Sequence, residues 1–329
     1  MSRCRLLRRS LVSEFGTNRY NETPGFSASF QIRLILKGLQ QTAFEVIPEG
    51  LQILAKTSQS NGIAEGVMSF AGQVAVITGA SSGIGRALAQ TLATEGCKVG
   101  LVARRREQLA QLAEQIEKLG GVAAFAVADV TERSQIVAAI HDLAARLGPV
   151  DLLIANAGVG APTTIEPFNV DDIEKMFRVN VLGVIYSLEA VLPQMLQRRR
   201  GHLAAISSLA AYKGLPGESA YTSSKAAVNV FMEGLRIQLR SKGITVTTIC
   251  PGFVKTPMTE VNEFQMPWLL TAEQAAQHIV HALKRKRKVY HFPWQTALLI
   301  KLARWAPDWL LERLMRAYNE NPPFPKTPL

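Results

Sequence analysis

From Gln73 onward the chain alternates between short apolar runs and longer segments of helical composition. The runs are "QVAVITGA", "KVGLVAR", "GVAAFAVAD", "VDLLIANAG", "HLAAISS" and "ITVTTICPG", with a last strand after "KRKRK". Helical segments at 105–118, 131–147, 171–196, 219–241 and 272–285, and "RALAQTLATEG" after the first run, separate them. A strand apolar at nearly every position has to be covered on both faces, and helical crossovers supply that cover. The pattern therefore predicts an α/β fold: a doubly wound parallel sheet of about seven strands, Rossmann-type, with right-handed crossovers. One catalytic domain is expected over 68–292, with extensions at 1–67 and 293–329.

The 329 residues suffice for one large α/β domain, and no run of about eighteen apolar residues calls for a membrane-spanning helix. Charge is unevenly placed. Residues 68–283 carry nineteen Lys/Arg against eighteen Asp/Glu, whereas 284–329 carry ten against three. A nearly neutral core argues against nucleic acid as a partner. "KRKRKVYH" reads as the basic end of a helix entering a strand. Cys4, Cys97 and Cys250 have no paired spacing and fit a reducing compartment, so a cytoplasmic location is expected. His278 and His281 lack further ligands in pattern, and no metal is expected.

Residues 1–67 show no consistent period and begin "MSRCRLLRRSL". They read as a poorly ordered or artefactual extension rather than a targeting segment, with folding, and even natural translation, starting near Met68. Short amphipathic helices within 29–56 would break at Pro48 and Gly50. At the other end, "WQTALLIKLARWAPDWLLERLM" has helical spacing interrupted by Pro307. Its Trp294, Trp305 and Trp309, with Lys301, Arg304, Arg313 and Arg316, suit three settings: an anionic membrane surface, the core, or a partner subunit.

The first strand ends in "TGASSGIG", which places Gly79, Gly83 and Gly85, with Ser81, Ser82 and Ile84 between them, where a strand turns into a helix. Glycines there let the backbone approach a pyrophosphate lying against the helix N-terminal amides. The end of the second strand selects the nucleotide. An acidic residue would take the ribose hydroxyls, but this chain has Ala103 followed by Arg104, Arg105 and Arg106. A guanidinium pairs well with a 2′-phosphate, so NADP(H) is favoured over NAD(H), with Arg104 the choice by position.

These motifs, with "ADV" (128–130), "NAG" (156–158), "VNVLG" (179–183), "ISS" (206–208), "YTSSK" (221–225) and "PGFVKT" (251–256), resemble the short-chain dehydrogenase/reductase family in its short oxidoreductase branch. The resemblance covers about 72–292. It implies a catalytic set of Ser208 (with Ser207 the weaker alternative), Tyr221, Lys225 and Asn180, the last supporting a water-mediated proton path. It further implies Asp129 and Val130 at the adenine, and Asn156 and Gly158 in the cofactor-side loop. Pro251, Gly252 and Thr256 would stand at the nicotinamide end, and Tyr221 and Lys225 would also contact the cofactor. Residues i and i+4 share a helical face, so Lys225 stands beside Tyr221. Its ammonium is expected to lower the phenol from its free value of about 10.

The implied partners are a small carbonyl or alcohol and a second copy of the chain, through the helices at 171–196 and 219–241. Met258, Phe264, Met266, Trp268 and Leu269 suggest either an apolar lid or a helix packing on the core; the lid would imply a hydrophobic ketone or secondary alcohol. A non-catalytic dinucleotide-binding sensor or scaffold of the same fold is the alternative, but a sensor needs the glycine turn and not the phenol.

Overall fold

A computed structural model describes residues 69–260 and 265–313. The expectations for 1–67, for Met68, for Phe264 and for the tail beyond 313 lie outside the described residues.

Seven strands form one parallel sheet: β1 (Val74–Thr78), β2 (Lys98–Ala103), β3 (Val122–Val127), β4 (Leu152–Ala155), β5 (Gly201–Ile206), β6 (Ile244–Pro251) and β7 (Val289–Phe292). Their spatial order is β3-β2-β1-β4-β5-β6-β7. The order reverses between β1 and β4, which leaves a crevice at the carboxyl ends of these strands where ligands bind in open α/β sheets.

The period-2 geometry of the strands sorts their side chains into two cores. Ala75 and Ile77 of β1 join one core with Leu88 and Leu92 of α1 (Gly83–Thr94), Leu109 and Leu112 of α2 (Arg106–Lys118), and Ile279 and Leu283 of the helix before β7. Val74 and Val76 point the other way. They meet Ile136, Ile140 and Leu143 of α3 (Arg133–Leu147), together with side chains from the helices flanking β5. These leucines and isoleucines are fully buried, each stabilising the fold by about 1.5–3 kcal/mol relative to exposure. β1 is buried at all five positions, as its uninterrupted apolar sequence predicts.

The segment 171–196 differs from expectation. It consists of α4 (Val170–Phe177), one wider turn at Arg178–Leu182, and α5 (Gly183–Arg198). An extra residue in a helical turn relieves a local demand and is often found at functional sites. Here the demand comes from Asn180 at the centre of the turn. Its Oδ1 accepts from Val159 N at 2.8 Å, and its Nδ2 donates to Val159 O at 2.9 Å and to Ser224 Oγ at 3.0 Å. The stretch Val170–Arg198 is long and apolar enough to cross a bilayer, but Met176, Val184, Leu188, Val191 and Met195 are buried in the protein interior.

α6 (Ser219–Leu239) follows β5, α7 (Ala272–Lys284) precedes β7, and α8 (Trp294–Ala303) follows it. The α7 N-terminus is closed by reciprocal bonds between Thr271 and Gln274, a cap of about 1 kcal/mol. α8 packs against the domain through Thr296 and Ala297, with Ala297 joining Leu209, Cys250, Tyr212 and Ile300 in a small third core.

Candidate active site

The glycine turn closes over the sheet by backbone contacts that leave no room for side chains. Gly79 adopts φ +69°, and a Cβ there would stand 2.8 Å from Ala157 Cα. At Gly85 it would run into Gly79 O and meet Asn156 Nδ2 at 2.6 Å. Asn156 straps the turn in place, its Nδ2 donating to Thr78 O at 2.9 Å and to Gly79 O at 3.3 Å, while Thr78 Oγ1 accepts from the Asn156 and Ala157 amides. Ile84 packs against the first core. Thr256, on the loop after β6, lies over the turn, its methyl 3.0 Å from where a Gly83 Cβ would be.

The arginines after β2 do not divide as their positions suggest. Arg105, which precedes the first residue of α2, donates from Nε and Nη2 to Ser81 Oγ at 3.1 and 2.8 Å and from Nη2 to Ser82 Oγ at 2.7 Å. Arg104 turns instead toward Asp129, 3.6 Å from its carboxylate, in an open cleft shared with Thr131 and Val179. Arg105 therefore stands at the turn, and Arg104, the residue expected by position, stands at the Asp129 end of the cleft. The side-chain phase at the mouth of α2 decides this, and a run of three arginines does not disclose it. Asp129 Oδ1 accepts from Thr131 N and Oγ1 and shapes that end of the cleft. Val130 is buried against Gly183.

Ser208, Tyr221 and Lys225 converge beyond the turn. Ser208 follows the end of β5 by two residues and lies by the Tyr221 phenol, whose pKa it lowers, and its Oγ accepts from Ala210 N at 3.1 Å. Ser207 is buried and donates to Lys225 O at 3.1 Å, which leaves Ser208 as the serine on the phenol. Lys225 is buried, donates to Ile206 O at 3.0 Å, and holds Nζ 5.9 Å from the Tyr221 ring centre. A Cβ on Gly158 would stand 3.2 Å from Lys225 Nζ and 3.3 Å from Asn180 Oδ1, so the "NAG" loop must be bare at that point.

Electrostatics alters one expectation. Burial pushes the Tyr221 phenol up to about 12, against the lowering effect of Ser208 and together with the nearby Glu218 carboxylate. Burial also pushes the Lys225 ammonium down to about 8, opposed by Cys250. Desolvation dominates both groups, and Lys225 is not among the causes that move the Tyr221 phenol, which rises where a depression by the lysine was expected. Asn180 lies at the centre of the wide turn, against this site. Both protons of its amide are committed, to Val159 O and to Ser224 Oγ, while Ser224 Oγ donates in turn to Tyr221 O at 2.8 Å. Its side chain is a brace between the wide turn and the catalytic helix. Ser224, one of two serines inside "YTSSK", escaped notice because nothing local marks which of them faces inward.

The residues fit a dinucleotide. They provide a bare backbone turn at a helix N-terminus, a guanidinium on its two serines, and a buried ammonium beside the phenol. Pro251 closes β6, and Gly252 N donates to Phe292 O at 2.7 Å. Gly252 packs so closely on Pro293 and Thr296 that a Cβ would meet them at 3.2–3.3 Å.

Comparison with known proteins finds relatives across most of the domain. The family model described as short chain dehydrogenase matches residues 73–266. An oxidoreductase of Myxococcus xanthus is 40% identical over 244 residues, covering 74% of this chain and 96% of the relative. The crystal structure of levodione reductase superposes with TM-score 0.64 at 26% identity, covering 69% of this chain and 99% of the other. A gluconate 5-dehydrogenase from Burkholderia cenocepacia, in complex with NADP and tartrate, gives TM-score 0.62 at 27% identity, covering 67% and 92%. The chain belongs to the short-chain dehydrogenase family. It is an oxidoreductase that works with NAD(P) on a small molecule.

Proposed function

We propose that the enzyme interconverts a hydrophobic ketone or aldehyde and its alcohol with NADP(H), with Tyr221 moving the proton. The observation that carries this reading is the convergence of Tyr221 and the buried Lys225, whose Nζ stands 5.9 Å from the Tyr221 ring centre, with Ser208 at the phenol. When bound, the dinucleotide supplies or accepts the hydride at the substrate carbon. Ser208 orients the carbonyl oxygen, and Tyr221 gives that oxygen a proton as negative charge develops on it. A phenol raised by burial is protonated at neutral pH, which suits the reductive direction. Lys225, fixed by Ile206 O, holds positive charge behind the ring and is placed for the ribose hydroxyls.

NADP(H) is supported by Ala103 where an acidic residue would favour NAD(H), and by Arg105 across Ser81 and Ser82. The gluconate 5-dehydrogenase neighbour was solved with NADP. A hydrophobic substrate is supported by the segment after "PGFVKT". Met258 Sδ and the Tyr221 ring lie 3.7 and 3.5 Å from the same point, a Cβ built on Gly160, so the thioether borders the cleft at the phenol. Met258 and Leu269 are both exposed there, and the segment is pinned back by pairing of Leu270 with Val254.

The test is loss of NADPH absorbance across a panel of lipophilic and small polar carbonyls, with NADH in parallel and Tyr221→Phe as control. Preference for lipophilic carbonyls with NADPH, and turnover lowered about 10²–10⁴-fold in the variant with NADPH binding retained, is expected. Full turnover by the variant, or a clear preference for small polar carbonyls, would overturn it.

A further inference from the structure

α8 and the helical turn that follows it at 308–313 have one face on the protein and one that nothing in the described residues covers. Inward lie Thr296, Ala297 and Ile300. Outward lie Trp294, Leu298, Leu302, Trp305 and Trp309, exposed at 65, 49, 64, 86 and 66%. The first three are four residues apart and share one side of α8. A water-facing helix surface is ordinarily polar. On this one the polar members are charged, and the cations Lys301, Arg304 and Arg313 outnumber the acids Asp308 and Glu312.

We propose that this face is a docking surface for an anionic lipid bilayer, with the tryptophans seated among the headgroups and the cations beside them. Three observations favour lipid over a second copy of the chain. Tryptophan is the side chain whose apolar body and single N–H suit the boundary between acyl chains and headgroups. Charge complementarity points the same way. Asp308 already lies 3.9 Å from Lys213 Nζ on the protein's own surface, so an identical face would offer Lys301, Arg304 and Arg313 little beyond Glu312. Anionic headgroups meet all three cations at once.

The third observation is position. α8 leaves β7 at the same edge of the sheet from which the loops carrying Asn156, Ser208 and Thr256 emerge. It packs on the turn Leu209–Tyr212 directly after Ser208, and Lys213 Nζ donates to Ala306 O at 3.3 Å. The surface therefore flanks the mouth of the site. Adsorption would bring the cleft next to the medium in which a lipophilic carbonyl dissolves. That consequence rests on the proposed substrate class, whereas the docking itself does not.

The test is sedimentation of the full chain with vesicles of phosphatidylcholine alone and of phosphatidylcholine mixed equally with phosphatidylglycerol. Binding to the mixed vesicles is expected to fall by about tenfold or more in a Trp305→Ser/Trp309→Ser variant and in a Lys301→Glu/Arg304→Glu variant. None of these side chains is buried, and unfolding temperature and NADPH binding should match the parent. The charge-reversal variant decides the matter if the tryptophan variant does not fold. No partition of the parent, equal partition of the variants, or equal binding to neutral vesicles would overturn the proposal. So would a tryptophan variant of lower oligomeric mass from a parent that ignores vesicles, because a second copy would then cover the face. Turnover is not read, so a wrong substrate class leaves this result intact.

Discussion

Replacing Lys225 with methionine should make the protein without nucleotide more stable, although it removes a group central to the proposed chemistry. Burial holds the ammonium at about 8 against its ordinary 10.5. At about 1.36 kcal/mol per pH unit, keeping it charged in the folded state costs on the order of 3 kcal/mol. Methionine is a similar length and removes that cost. It also forfeits the bond from Nζ to Ile206 O, worth about 1 kcal/mol. The net gain is about 2 kcal/mol at pH 7, a rise in Tm of about 4–8 °C for a domain of this size.

The pH dependence carries the sign. A lysine whose folded value lies below its unfolded value destabilises fully below about 8. The penalty fades as pH rises and is gone above 10.5, where both states are neutral. The gap between Lys225→Met and the parent should therefore be widest at neutral pH and close at alkaline pH. Urea unfolding of both proteins without nucleotide, from neutral to alkaline pH, measures it. A variant less stable than the parent at pH 7, or a gap independent of pH, would refute the reasoning.

Arg105→Ala should raise the KM for NADPH by about tenfold or more while leaving that for NADH little changed, since the guanidinium on Ser81 and Ser82 is the proposed phosphate partner; Arg104→Ala should do markedly less, and steady-state kinetics with both nucleotides separates them. Gly85→Ala drives a methyl into Gly79 O and Asn156 Nδ2, so fluorescence titration should show nucleotide binding lost, with destabilisation of about 1–3 kcal/mol on thermal unfolding. Alcohol oxidation, which needs Tyr221 as phenolate, should accelerate with rising pH, and carbonyl reduction, which needs the phenol, should slow; pH-rate profiles in both directions show whether the trends oppose.

The sheet could be read in the sequence because a strand covered on both faces is apolar throughout, and β1, buried at every position, is the clearest case. The glycine turn and the four-residue spacing of Tyr221 and Lys225 were legible because both are local geometry. The break in 171–196 was not. Asn180 causes it by bonding to Val159, twenty-one residues away, and helical period carries no record of that partner. The choice between Arg104 and Arg105 turned on side-chain direction at the start of α2. The upward shift of Tyr221 came from burial, which exists only once the chain has folded.

The helix that carries Tyr221 and Lys225 is stitched to the end of the strand before it by side chains. Ser207 Oγ donates to Lys225 O, and Lys225 Nζ donates to Ile206 O, so the end of β5 and the second turn of α6 hold each other directly. Everything between, residues 209–218, is spanned by that clasp and does not transmit it. Leu209 and Tyr212 are held in the small third core and Lys213 reaches Ala306 O, so within that span it is residues 214–216 that can be rewritten while the phenol and ammonium keep their places. For an engineer, this is the segment at which to randomise first; for evolution, it is where new specificity costs the least.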